Sequence, residues 1–213
     1  MMDSRFRGYC RKWSADVSKI ADEKQRMLYF QEHLPQLLLD RAAVLAVLDH
    51  MTHGRKWPNL RYGGLFSHEV LLYLDPSRRF SIRLYFHPPH THTDIHDHTG
   101  WGVSGTPFGS LSVIRYACEG DIDSGRVRLQ RDQQKILQPG EVDLTLPWME
   151  GIHQTGSLDD TINVMISAYG RPGRRLYVHR IDPDSGAAER IYPPRLLRRM
   201  LARQALKEIS LSM

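Results

Sequence analysis

Three histidines have the type and spacing of a metal site. His96 and His98 are separated by one residue within the segment Ile95-His96-Asp97-His98-Thr99. Successive side chains on a strand point to opposite faces, so residues two apart share a face. His153 lies far downstream in Gly151-Ile152-His153-Gln154, and we expect it between two strand-like runs. Three neutral imidazoles without a carboxylate would hold a divalent first-row metal and leave positions open for substrate and oxygen.

A second histidine pair lies a few residues upstream. His90 and His92 are also two apart, and His87 precedes them. Pro88-Pro89 comes directly before His90 and indicates a loop, so these two imidazoles need not share a strand face. The residues alone do not choose between the two pairs as metal ligands. For His87, His90 and His92 we favour a polar loop at the mouth of a barrel.

The elements that must position these histidines have the pattern of short β-strands. Alternating or apolar runs are separated by Gly, Pro and Asp turn signals, which is typical of a β-barrel or a double-sheet roll. The predicted strands cover residues 69–74, 80–86, 110–116, 127–129, 134–137, 142–146, 162–169 and 176–181.

Helical patterns flank the predicted strands. Apolar residues recur at helical spacing within residues 14–50, with a break predicted at Pro35. The last twenty residues return to a helical pattern after Pro193-Pro194. We therefore expect one domain over residues 1–213, made of a helical extension at 1–60 packed on the barrel, a β-barrel at 65–182, and a C-terminal helix at 193–213.

The composition is that of a globular protein in a reducing compartment. The chain has 213 residues, of which 41% are hydrophobic and 25% charged. Cys10 and Cys118 do not suggest a disulfide framework and no secretory signal is evident, so the cytoplasm is expected. Much of the net charge of +5 lies near the C-terminus. Without aromatic interleaving or a long apolar run, neither nucleic acid nor membrane is an expected partner.

The region from about residue 69 to 172 resembles the thiol dioxygenases, cupin-fold enzymes that include cysteine dioxygenase and bacterial 3-mercaptopropionate dioxygenase. The resemblance covers about half of the chain and implies a mainly β cupin fold, the double-stranded β-helix or jelly-roll barrel. The segments that carry it are Leu71-Leu72-Tyr73-Leu74-Asp75 with Arg79-Phe80-Ser81, Ile95-His96-Asp97-His98-Thr99 with Trp101-Gly102-Val103, Gly109 ahead of a strand ending at Arg115-Tyr116, and Gly151-Ile152-His153-Gln154 with Ala168-Tyr169-Gly170.

The resemblance implies a cofactor and a reaction. In that family the matching three histidines bind ferrous iron, and both atoms of O2 are added to the sulfur of a small thiol to give a sulfinic acid. His96, His98 and His153 are accordingly the implied Fe(II) ligands. Many cupins carry a glutamate a few residues after the histidine pair, but Gly102 or Val103 takes that place here. This departure favours a site of three histidines alone.

Two other positions depart from the family. Its serine-histidine-tyrosine relay places the tyrosine two residues after the histidine. Tyr169 matches the tyrosine and takes the implied catalytic role, but Ser167 stands where the histidine would be. The family also binds the substrate carboxylate with an arginine ahead of the metal motif, and Ser67-His68-Glu69-Val70 contains none. Arg83 is the candidate replacement, although the alternation along residues 80–86 leaves open whether it faces the cavity.

Three functions fit these observations. The first is a mononuclear non-haem iron dioxygenase that oxidises a small thiol to a sulfinic acid with O2. The second is a non-catalytic metal-binding cupin, a small-ligand sensor or accessory protein, which the missing relay histidine and arginine favour. The third is a cupin enzyme of other chemistry on the same three histidines, such as a carbon–carbon-cleaving dioxygenase or a metal-dependent isomerase.

Overall fold

Two antiparallel β-sheets form the centre of the protein. The computed structural model describes residues 2–53, 56–61, 64–66, 68–173 and 175–211, with side chains described as far as residue 205. Its strands are β1 (Glu69–Leu74), β2 (Phe80–His87), β3 (Ile95–His98), β4 (Gly102–Gly105), β5 (Leu111–Glu119), β6 (Arg128–Leu137), β7 (Val142–Thr145), β8 (Trp148–Gly156), β9 (Asn163–Gly170), β10 (Val178–Ile181) and β11 (Ala188–Ile191).

The strands cross between the two sheets as in a jelly roll. One sheet has the order β1-β2-β9-β4-β7 and the other the order β11-β10-β3-β8-β5-β6. Neighbours in each sheet come from distant parts of the chain, because β2 pairs with β9 and β3 pairs with β8. This architecture confirms the predicted mainly β barrel of the cupin type.

The alternation along β2 decides which of its residues enter the barrel. Phe80, Ile82 and Leu84 belong to the apolar core shared with the N-terminal helices. Tyr85 belongs instead to a core inside the barrel, together with Leu111. Because side chains alternate along a strand, Arg83 lies on the inner face with Tyr85. This settles the orientation that the sequence left open.

Three helices cover the outer face of the first sheet: α1 (Ser4–Val17), α2 (Glu23–Leu39) and α3 (Arg41–Thr52). Phe30 of α2 is fully buried, and its ring lies 4.8 Å from that of Phe80 and 5.8 Å from that of Trp101, between centroids. The indole nitrogen of Trp101 also donates a hydrogen bond to Glu23 Oε2 at 2.7 Å. These contacts tie α2 to the segment that follows His98.

The helix boundaries differ from the prediction in two ways. The first helix begins at Ser4 rather than near residue 14, because Asp3 accepts hydrogen bonds from the backbone of the first turn. The break predicted at Pro35 is wrong, since Pro35 lies inside α2. The chain turns at Asp40, whose carboxylate caps α3 by accepting from Ala43 N at 3.0 Å. Apolar packing on both sides of Pro35 keeps the helix continuous there.

The strand boundaries differ from the prediction in both sheets. The expectation that His153 lies between two strands is wrong, because His153 lies within β8. The two strands predicted at 127–129 and 134–137 form the single strand β6. β4 and β11 were not predicted. Each is a four-residue strand, and so short a run offers little period-two signal.

The C-terminal part of the chain forms the expected helix, α4 (Pro194–Leu211). Residues 212–213 of the predicted helix lie outside the described residues. No helix in the described part of the chain is long and apolar enough to cross a membrane. The division into one domain with the boundaries given above stays a prediction.

We expect Phe30→Ala to lower the free energy of unfolding by about 3–5 kcal/mol, because truncation leaves a cavity between α2 and the sheet. Chemical denaturation followed by circular dichroism measures the change. Leu39→Ala is the control in the same helix, since Leu39 is 65% exposed, and a change under about 1 kcal/mol is expected. Equal losses in both variants would contradict the described packing of α2.

Candidate metal centre

Strand pairing brings the three predicted ligands together. His96 and His98 lie on β3, and His153 lies on β8 directly opposite His96. The pairing register shifts between His96 and His98. One ligand atom from each imidazole lies within 4.8 Å of the other two, and the Nε2 atoms of His98 and His153 are 3.0 Å apart. All three side chains are buried.

The protonation of these imidazoles suits metal binding. Burial lowers the pKa of His96, and it lowers the pKa of His98 and His153 well below the ordinary value of 6.5. His153 and His96 add to this effect at His98 by like-charge repulsion. All three are therefore neutral at pH 7 and have a lone pair to give to a cation. The donor set fits a divalent first-row metal ion.

Neighbouring groups orient two of the ligands. His96 Nδ1 lies 2.8 Å from the carbonyl oxygen of Asp94, so this nitrogen donates its proton and Nε2 remains the ligand atom. His153 Nδ1 lies 3.4 Å from Thr145 Oγ1. The sequence did not identify either partner. The Asp94 carbonyl lies two residues before the ligand it orients, and Thr145 reaches His153 only through the fold.

A buried ionic network that the sequence did not reveal lies between the two ligands of β3. The fully buried carboxylate of Asp97 accepts from the backbone N–H of His179 at 2.7 Å and from His179 Nδ1 at 2.9 Å. Arg175 Nη2 lies 2.7 Å from the same carboxylate. Since His179 belongs to β10, the network fastens β10 to β3, where Arg180 pairs with His96. The sequence signal for this network was the position of Asp97, a strand residue between the two candidate ligands.

A cavity of about 240 Å³ opens beside His96 and His98, and Tyr169 lines it. The ring of Tyr169 stacks on His98, with 5.8 Å between centroids and 18° between planes. Tyr85 lies edge-on to Tyr169 at 6.4 Å. Burial raises the pKa of Tyr85 well above its usual range. The structure thus brings Tyr169 to the histidines and adds Tyr85, which the sequence did not single out.

Arg83 also lines this cavity. Its guanidinium lies 5.6 Å from the centroid of the Tyr169 ring. It forms an ion pair with Glu69, whose side chain is 1% exposed and which also accepts from Leu65 N at 2.9 Å. Glu69 thus neutralises much of the charge that Arg83 would offer to a substrate carboxylate. Ser67, which belongs to the segment where the family would place an arginine, lies outside the described residues.

The position of the missing relay histidine holds a serine pair. Ser167 lies on β9, two residues before Tyr169, and its hydroxyl is 2.8 Å from that of Ser104 on β4. Both are buried. One of the two hydroxyls donates a hydrogen bond to the other, but neither can replace an imidazole as a base near neutral pH.

The upstream histidines do not lie on one polar loop. His90 is on the surface, with Nε2 2.8 Å from Asp160 Oδ1. His87 is buried in β2 on the face that enters the barrel, so the loop interpretation is wrong for this residue. His92 lies in the connection to β3 and bridges to Gly156. The alternation that places Arg83 and Tyr85 on the inner face of β2 also places His87 there, two residues further on. This alternation was the sequence signal for the inward position of His87.

Comparisons with known proteins do not identify a family or a chemistry for this chain. No family model matches the chain. A cupin 2 conserved barrel domain protein from Salinispora arenicola CNS-205 is similar over 48% of this chain and 73% of its own, with 14% identity and a TM-score of 0.35. A sugar phosphate isomerase of the cupin superfamily from Silicibacter pomeroyi DSS-3 matches over 59% and 78%, with 14% identity and a TM-score of 0.36.

The DMSP lyase DddQ from Ruegeria pomeroyi DSS-3 matches over 50% of this chain and 45% of its own, with 12% identity and a TM-score of 0.36. These proteins are named for different chemistries, and the TM-scores all lie under 0.5. The fold assignment therefore rests on the strand pairing. The assignment of the metal centre rests on the three histidines.

The metal-free protein should lose stability as the pH falls below 6.5, the ordinary pKa of histidine. In this range the unfolded chain takes up protons that the buried imidazoles do not. His98→Gln should remove up to about 1.4 kcal/mol per pH unit from this slope. Denaturation of chelator-treated protein from about pH 7 to 5 measures the effect. Identical slopes in the variant and the parent would contradict a neutral, buried His98.

Asp97→Asn should lower the free energy of unfolding by about 3–5 kcal/mol, because it leaves the buried Arg175 guanidinium without its counter-charge. Denaturation with urea measures the loss. Asp94→Asn is the matched control, since Asp94 lies three positions earlier with 55% of its side chain exposed, and no measurable change is expected. An Asp97→Asn variant as stable as the parent would show that the network does not hold β10 to β3.

Proposed function

We propose that this protein is a mononuclear non-haem iron dioxygenase that oxidises a small thiol to a sulfinic acid with O2. The observation that supports it most is the set of three buried, neutral imidazoles of His96, His98 and His153 beside a cavity, with no carboxylate among them. Such a set leaves coordination positions for a substrate and for O2. Fe(II) is the proposed cofactor.

The reaction balances without a further reductant. A thiol RSH and one O2 give RSO2H, in which the sulfur is oxidised by four electrons and both oxygen atoms end on it. Bound ferrous iron would supply the redox-active centre and a positive charge that favours the thiolate form of the substrate. The protein has to hold the three imidazoles neutral, and burial achieves this by lowering their pKa values.

Tyr169 is the proposed catalytic residue outside the metal ligands. Its ring stacks on His98 and lines the cavity, so Tyr169 can contact a substrate held beside the histidines. Ser167 does not supply a relay base, so we assign Tyr169 an orienting role rather than that of one end of a proton relay. Tyr85 packs edge-on against Tyr169 and limits its movement.

Arg83 is the proposed substrate-binding residue. It faces the same cavity, but its partner Glu69 is buried with it. An incoming carboxylate would have to share the guanidinium with Glu69, which weakens the attraction. A substrate with an ammonium group would meet Glu69 favourably. Thiols with and without a carboxylate therefore distinguish these two cases.

The proposed setting is the cytoplasm, with a small-molecule substrate and O2 as partners. Both cysteines are free thiols, and Cys10 is buried in the helical core. Unpaired thiols are usual in a reducing compartment.

We expect the protein reconstituted with Fe(II) to consume O2 when given a small thiol, and to convert the thiol to a product heavier by two oxygen atoms. An oxygen electrode and mass spectrometry with ¹⁸O2 measure both effects, with thiols that do and do not carry a carboxylate. His96→Ala should abolish uptake, because the metal loses one of three ligands. His90→Gln, a surface histidine paired with Asp160, should leave it unchanged.

Different failures of this experiment point to different functions. Stoichiometric iron with no uptake for any thiol would overturn the dioxygenase proposal and favour a ligand-binding cupin without turnover. Uptake with a product that does not retain both oxygen atoms on sulfur would favour other chemistry at the same histidines.

A further inference from the structure

Glu69 is a buried carboxylate in the wall of the cavity beside the metal centre. Its side chain is 1% exposed, and Oε1 accepts a hydrogen bond from Arg83 Nη1. Its other oxygen, Oε2, accepts from the backbone N–H of Leu65 at 2.9 Å and of Phe66 at 3.5 Å. The backbone donors orient the carboxylate in addition to Arg83. Glu69 is therefore a fixed negative charge at this cavity.

The ion pair of Glu69 and Arg83 lies within reach of a molecule bound at the three histidines. The guanidinium carbon of Arg83 lies 5.6 Å from the centroid of the Tyr169 ring. That ring lies 5.8 Å from the ring of His98. The guanidinium is therefore at most about 11 Å from the His98 imidazole. A small thiol held by its sulfur at the metal would direct its other end, the head group, into the space between them.

A charged head group would meet both an opposite and a like charge at this pair. Arg83 attracts a carboxylate that Glu69 repels, and Glu69 attracts an ammonium group that Arg83 repels. Phe66, Trp101 and Tyr169 also line the cavity, so an ionic group loses hydration there without full compensation. A zwitterion would have to part the two side chains to reach both, and separating a buried pair is costly.

Arg175, which also lines the cavity, is neutralised in the same way. Its side chain is 8% exposed, and Nη2 lies 2.7 Å from the buried carboxylate of Asp97. Its guanidinium lies 4.6 Å from the ring of Trp148 and 5.0 Å from that of Tyr177. Arg175 is thus engaged by the protein itself. Like Arg83, it offers no unbalanced positive charge to a substrate carboxylate.

A neutral group that both donates and accepts hydrogen bonds fits the pair. A hydroxyl or an amide can donate to Glu69 and accept from Arg83 while the two stay in contact, because a carboxylate and a guanidinium each take several hydrogen bonds. We propose that Glu69 is a specificity-determining residue, which selects thiols with an uncharged, hydrogen-bonding head group over thiols with a carboxylate. This choice of substrate rests on the proposed function, since a thiolate held at the metal brings the head group to the pair.

The test is the binding of thiols of matched length to the full-length protein loaded with Zn(II), by isothermal titration calorimetry under anaerobic conditions. Zinc has no redox chemistry, so binding is measured without turnover. We expect 3-mercapto-1-propanol to bind about tenfold more tightly than 3-mercaptopropionate, the difference of one charge-assisted hydrogen bond. The ammonium analogue 3-aminopropane-1-thiol and the zwitterion cysteine should also bind more weakly than the alcohol.

Two variants of the pair should change this order in opposite directions. Glu69→Gln keeps an oxygen for the backbone donors but leaves the charge of Arg83 uncompensated, so 3-mercaptopropionate should gain about tenfold in affinity. Arg83→Gln should favour the ammonium thiol instead, and it provides the answer if circular dichroism shows Glu69→Gln to be unfolded. Glu189→Gln is the matched control, since Glu189 has 66% of its side chain exposed and pairs with Arg180. It should keep the order of the parent.

Tighter binding of 3-mercaptopropionate than of the alcohol by the parent would overturn the role of Glu69, and so would an order that neither variant of the pair changes. Oxygen uptake by the Fe(II)-loaded protein with the same thiols separates this role from the proposed function. Uptake that prefers the carboxylate would overturn the selectivity and leave the dioxygenase intact. The expected binding order without uptake would do the reverse, and no binding of any thiol would overturn both.

Discussion

The pairing of β3 with β8 is the constraint on which the rest of the site depends. It places His153 opposite His96, although 57 positions separate them along the chain. A slip of one residue in this register would turn His153 to the other face of the sheet. The register is held on the far side of β3 by β10, where Asp97 binds the backbone and the imidazole of His179. Side chains alternate along β3, so His96 and His98 face the site, whereas Asp97 between them binds β3 to β10.

Electrostatics around the site follow from burial. The three ligands are neutral because water is excluded from them, and this state is the one that a metal ion requires. Among the described residues, the two arginines that line the cavity are paired with buried carboxylates, Arg83 with Glu69 and Arg175 with Asp97. Neither guanidinium therefore adds an unbalanced positive charge close to the ion. A cation and a neutral ligand set can then coexist beside these two ion pairs.

The sequence was sufficient where the chemistry lies within one local segment. Alternation placed His96 and His98 on one face, and the bounds of β1 were predicted in full. The sequence failed where tertiary contacts decide the outcome. Pro35 did not end its helix because α2 packs on the sheet on both sides of it. The face of Arg83 and the partners of Asp97 both depend on strand pairing. Resemblance, rather than periodicity, selected the pair His96 and His98 over the pair His90 and His92. The position of His153 within the nine-residue strand β8 could not be read from a segment with so few apolar residues.

The most direct test of the central claim is a crystal structure of protein loaded with Fe(II) under anaerobic conditions, with anomalous scattering recorded at the iron edge. The account predicts an iron peak about 2.0–2.2 Å from one nitrogen each of His96, His98 and His153, with no carboxylate in the coordination shell. An iron peak elsewhere, with these three imidazoles free of metal, would contradict it.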